Sequence, residues 1–145
     1  VIDIAAAVRS WLAADPVVAS LCGDRVSTIL DPNDGFPALV LGAVQGGPGS
    51  TPGRSVDIVE TWSVSLYAYA GRRDGGLDDL PDTRGAFQVA QAVVAAAGRI
   101  TTTPFTYSEG GRIVHASVLS AVPGAVDPNT GAARATVTLR LVTVP

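Results

Sequence analysis

Ile4, Val8, Trp11 and Leu12 fall at i, i+4, i+7 and i+8, one face of a helix from about Ile2 to Ala14. Asp15-Pro16 then opens a second short helix, with Pro at its first position, and Gly23 after "VVASLC" stops it. "DRVSTIL" reads as a short strand. "FPALVLGAV", Phe36 to Val44, is continuously apolar and reads as a strand buried on both faces. From Val56 the even positions are Val56, Ile58, Glu60, Trp62, Val64, Leu66 and Ala68, and the odd positions are Asp57, Val59, Thr61, Ser63, Ser65, Tyr67 and Tyr69. That is a strand with one apolar face and one polar, nearly uncharged face. "GRRDGGLDDLPD" is a polar loop, after which Asp82 or Thr83 caps a helix to about Ala97, with Phe87, Ala90, Val94 and Ala97 on one face and Gly98 as its stop. "RIVHASVLSAV" and "RATVTLRLVTV" are the last two strands, separated by Asp-Pro and Asn-Thr-Gly turn chemistry.

This order predicts an α+β fold. A mostly antiparallel, mixed sheet carries the N-terminal helix and one long Ala-rich helix on one face, with long loops. The 145 residues suit one domain, 1–145, with an extended Gly/Pro arm at 45–55. The composition is 47% hydrophobic and 16% charged, so the chain can fold, but Ala and Val dominate and burial per residue is modest. A partner surface is therefore expected to supply part of the stability.

The net charge is −3, and all ten cations are Arg. No basic cluster exceeds Arg72-Arg73, so no nucleic-acid footprint is present. One Cys excludes an intrachain disulfide. The N-terminus does not read as a signal peptide, and no apolar run approaches the roughly 18 residues of a membrane helix. A chain that is soluble and intracellular when made is expected.

The arm resembles a phosphate cradle only in composition. No Lys follows to reach a phosphate, a strand and not a helix comes next, and Pro48 and Pro52 remove backbone donors. A ligand that is another protein chain fits better. His115 is the only His and is read as a half-buried strand residue, because no partner for general-base work is visible. One His and one Cys make no ordinary zinc site. Asp74, Asp78, Asp79 and Asp82 lack the spacing and closing Glu of a calcium loop. Cys22, Trp11 and Trp62 are read as core. No metal, cofactor or reaction centre is expected.

The chain opens on "VRSWLAADPVVASLCGDRV": a helix, Asp15, a short apolar helix with Leu21, then Gly23, Asp24, Arg25 and Val26 turning into a strand. Pro37 opens the next strand, a long loop leads to "WSVSLYAYA", and an Ala-rich helix, "AFQVAQAVVAAAG", follows. The end carries Asp127, Thr130, Gly131 and Arg134 before an alternating strand. In order and spacing, over nearly the whole chain, these segments resemble the tail-completion, or tail-terminator, proteins of long-tailed bacteriophages. The Gly/Pro arm and the longer acidic loop depart from the family's pattern.

The resemblance implies a structural virion protein, not an enzyme. It implies a ring, usually a homohexamer, assembled in the host cytoplasm at the head-proximal end of the tail. The ring would cap the tube, stop addition of the major tail tube protein and join the head-tail connector, or neck. DNA would pass its lumen without specific binding, and no membrane is involved. Ring closure needs complementary patches. The candidates for inter-subunit contact are Arg54, Asp57, Thr61, Ser63, Ser65, Tyr67 and Tyr69. The candidates for tube or connector contact are Arg72, Arg73, Asp78, Asp79, Asp127 and Asn129. The competing readings are a head-closure or neck protein, a module docking a peptide on a sheet edge, and a small hydrolase using His115.

Overall fold

The computed structural model describes residues 3–29, 35–48, 59–73, 80–126 and 132–145. The elements run α1 (Ile4–Ala14), α2 (Pro16–Cys22), β1 (Val26–Ser27), β2 (Ala38–Pro48), β3 (Glu60–Ala70), β4 (Arg72–Arg73) and β5 (Leu80–Pro81). Then come α3 (Thr83–Ile100), β6 (Phe105–Thr106), β7 (Arg112–Val126) and β8 (Ala133–Val144). Six strands form one sheet in the order β1-β2-β3-β8-β7-β6. β1 is parallel to β2, and the other pairings are antiparallel. β4 and β5 pair only with each other. This is the expected α+β class with a mixed, mostly antiparallel sheet.

Each helix starts on an Asp, because a carboxylate can accept the amide protons the first turn leaves unbonded. Asp3 accepts from Ala6 N at 3.2 Å, and Asp82 from Gly85 N at 2.9 Å. Asp15 ends α1 and caps α2, accepting from Val17 N and Val18 N at 3.0 and 3.2 Å. The chain turns by 87° there. Arg25 then ties α2 to the sheet: its Nε donates to the Pro37 carbonyl at 2.8 Å.

α3 lies across β3, β8 and β7, and α1 packs on β1 and β2. Along β8, Ala133, Ala135, Val137, Leu139, Leu141 and Thr143 are buried against the helices. The alternate residues face the other way, as period two requires. α3 contributes mainly Ala and Val to the contact, and these short side chains let helix and sheet approach closely.

Several expectations change. α3 runs through Gly98 to Ile100, because Ile100 is buried and the core draws one more turn into the helix. β2 extends through Pro48, so Gln45–Pro48 belong to a strand and not to an arm. The rest of the arm, 49–55, lies outside the described residues. β2 is fully buried only over Ala38–Leu41, and Ala43 and Gln45 are exposed. The polar loop from Gly71 holds the β4–β5 ribbon, and β7 continues to Val126. His115 is exposed, not half-buried, because β7 lies near the rim of the sheet. Gly46 needs to be glycine for a reason unrelated to phosphate. Its φ is +125°, and a Cβ there would stand 2.3 Å from the Thr61 carbonyl oxygen.

Cys22 is buried at the end of α2, and burial pushes its thiol from 9.0 to about 11, against a smaller opposing pull from the Arg25 guanidinium. A raised folded pKa favours the fold while the thiol is protonated. The contribution is full below pH 9 and is lost as pH rises through about 11. At roughly 1.4 kcal/mol per unit it amounts to about 3 kcal/mol at most. Urea midpoints should therefore fall between pH 8.5 and 11 in the native chain and fall less in Cys22→Ala. An equal fall in both would assign the loss to other groups.

Candidate assembly surfaces

The face of the sheet away from the helices is built from hydroxyls. The odd residues of β3 and the even residues of β8 share it: Ser63 stands opposite Arg140, Ser65 opposite Thr138, Tyr67 opposite Thr136 and Tyr69 opposite Arg134. β7 adds Ser117, opposite Arg140, and β2 adds Gln45, opposite Ser63. These positions hold two arginines and no carboxylate, although the chain as a whole is acidic. At one corner Tyr69, Val40 and Ala132 form a small apolar cluster with Phe36 and Tyr67 packed on it. The Arg134 guanidinium lies 5.3 Å from the centre of the Tyr67 ring, a cation–π contact.

Thr61, Ser63, Ser65, Tyr67 and Tyr69 are thus brought together on one face. They are not equally available, since Tyr69 is buried and the others are half-buried. Arg54 and Asp57 lie outside the described residues, as do Asp78, Asp79, Asp127 and Asn129. Arg72 and Arg73 supply the backbone of β4. The residues flanking 74–79 and 127–131 gather at one end of the sheet, where Ala133 pairs with both Ala70 and Val126. Pro48 pairs with Glu60 at the other end.

The two rims of the sheet were not foreseen as surfaces. β1 covers β2 only at Leu39 and Val40, and β6 covers β7 only at Arg112 and Ile113. Among the described residues, Leu41–Pro48 and the length of β7 beyond Ile113 have no outer strand partner. Unpaired edges of this length can pair with another chain. The β7 edge is also apolar: Val118, Leu119, Val122 and Val126 are exposed. Pro123 and the register shifts along β7 limit where another strand could add. The alternation of "RIVHASVLSAV" was visible in the sequence, but not that no strand among the described residues covers it beyond Ile113.

A broad hollow of about 580 Å³ lies where α1, α2 and the end of α3 meet, walled by Trp11, Pro16 and Phe105. The Asp15–Arg99 ion pair crosses it at 2.5 Å, with Asp15 buried and Arg99 half exposed. It joins residues 84 apart in sequence and fixes α2 to α3.

Among the described residues no three His, Cys, Asp or Glu side chains gather as metal ligands. His115 Nδ1 stands 3.5 Å from the Thr101 hydroxyl, with no carboxylate hydrogen-bonded to the ring. No single helix is long and apolar enough to cross a membrane.

A family model described as "Tail completion protein gp17" matches residues 6–144. Among solved structures, a chain of the "Virion of native gene transfer agent (GTA) particle" is similar to this one with a TM-score of 0.62. It covers 98% of this chain and 95% of that one at 20% identity, a likeness of fold. No curated protein matches.

Proposed function

The chain belongs to the tail completion protein gp17 family, a structural and not an enzymatic class, and on that premise we propose that it forms a ring at the head-proximal end of a phage-like tail. The ring, a homohexamer, caps the tail tube, halts further addition of tube protein and offers the surface that joins the neck. DNA crosses its lumen without specific binding.

The observation that carries ring formation is the pair of open edges at opposite rims of one sheet. Two different patches, one at each end, make a head-to-tail contact, which gives a ring where the rotation between successive copies closes and an open filament where it does not. The strand senses are compatible. Three antiparallel steps separate β2 from β7, so the two run in opposite senses. Rotation about an axis running along the strands leaves those senses unchanged. The β2 edge of one copy then meets the β7 edge of the next as an antiparallel pair, the more stable ladder. The hydroxyl-rich face carries the subunit contacts that flank this seam. The segments around 72–82 and 127–131 are assigned to the tube or neck.

The test is tube growth. Tail tube protein polymerising alone should yield tubes of unlimited length. With this protein added before growth, tubes should stop short and carry a ring at one end, seen by negative-stain imaging and by mass. A ring that binds neck protein while tubes keep growing would instead make the chain a head-closure protein. A monomer that ignores tubes would remove both readings.

A further inference from the structure

Glu60 begins β3 on the helix side of the sheet, opposite Pro48 and Thr143. It is only 6% exposed, and its Oε2 has no hydrogen-bond partner. A carboxylate taken out of water and left unpaired is costly. A buried polar group without a partner calls for an explanation, and a partner present only in the assembly is one.

Beside Glu60 lies a hollow of about 230 Å³, lined also by Glu109, Gly110, Gly111 and Thr143. The side-chain hydrogen bonds around it do not reach Glu60 Oε2. The Trp62 Nε1 donates to Thr143 Oγ1 at 3.1 Å, and the Tyr107 hydroxyl donates to Glu109 at 3.2 Å. The one ion pair among the described residues joins Asp15 and Arg99 and involves neither Glu60 nor Glu109. Among the described residues, the side chains that line the hollow include two carboxylates and no cation.

We infer that this hollow is a receptor for an arginine guanidinium, supplied by a second copy of the chain when the ring closes. No group of three or more carboxylate, histidine or cysteine side chains gathers here among the described residues to hold a metal ion. A guanidinium fits better: it is planar, weakly hydrated and able to bond a carboxylate through two parallel N–H groups. The chain also supplies the matching charge. All its cations are arginines. Arg9, Arg84, Arg112 and Arg140 are exposed and make no ion pair among the described residues. The inference rests on the ring reading and adds to it a charge lock at the Glu60 end of the sheet.

Glu60→Gln tests it, because shape is kept and charge removed. In the isolated subunit an unpaired buried charge disappears, so the thermal midpoint should rise by about 3 °C or more. In the ring a paired charge is lost, so the assembly constant should fall at least about tenfold. A purely structural Glu60 would not move the two readouts in opposite directions. A variant that is better folded yet assembles poorly has not failed by misfolding. Equal assembly of Glu60→Gln and native chain overturns the inference and leaves the ring intact. A lower midpoint together with poorer assembly overturns it in favour of a folding role. Calcium chloride added alone must leave the native midpoint unmoved; a rise absent from Glu60→Gln would make the occupant a metal and overturn it. A native chain that never forms rings removes both this inference and the reading it rests on.

Discussion

Leu139→Ala is expected to lower the unfolding free energy by about 2–5 kcal/mol. Leu139 is fully buried in β8, opposite Val64 on one side and Val118 on the other. α3 covers β8 on the face that Leu139 shares with Val137 and Leu141. Those neighbours cannot close over a lost isobutyl group, because each is held in strand register by its own ladder. The cavity therefore persists and adds to the lost transfer energy. Domains of this size have stabilities of about 5–15 kcal/mol, so the variant should lose a large part of its margin. Denaturant midpoints read at unchanged m-value measure it. A loss below about 1 kcal/mol would mean that helix and sheet can collapse together at that point, contrary to the packing described.

The second large effect concerns assembly and should leave folding almost untouched. Leu119 and Val122 are 56% and 59% exposed on the open edge of β7. Replacing both with Lys buries no charge in the isolated subunit, so its stability should change by about 0.5 kcal/mol or less per site. At a β2–β7 seam the same side chains would be pressed against another copy. Lysine on an edge strand is a common device against strand addition. Leu119→Lys with Val122→Lys should therefore leave the thermal midpoint near the native value and abolish the ring, seen as a monomer mass at concentrations where the native chain assembles. Rings of normal mass from this variant would place the subunit seam elsewhere, and the hydroxyl-rich face of β3 and β8 would be the next surface to test.

The two effects differ in how far they could be read in advance. Leu139 sits inside a strict alternation, and its burial follows from period two and from the rule that a sheet hides its apolar face. Leu119 sits in a similar alternation and is exposed, because exposure depends on what lies beside a strand and not on its own pattern. His115 was misjudged for the same reason. The end of α3 was misjudged differently. Gly98 is an ordinary local stop signal, but burying Ile100 outweighs the roughly 1 kcal/mol that an interior glycine costs a helix.

What the sequence determined by itself is local. The α+β class, the helix starts at Asp15 and Asp82 and the polar face of Thr61, Ser63, Ser65 and Tyr67 each rest on residues within one or two turns or a few strand positions. The ordered series of such segments also carried the family resemblance, which the match over residues 6–144 places on firm ground. What only the tertiary structure decided is which elements become neighbours. β8, last in the chain, inserts between β3 and β7, and that choice leaves most of β2 and β7 without an outer strand partner among the described residues. It buries Glu60 with no partner for its Oε2 among the described residues and brings Arg99 to Asp15 across 84 residues. Periodicity is a property of a short segment and cannot encode these pairings. They are settled by the joint burial of all the apolar faces at once.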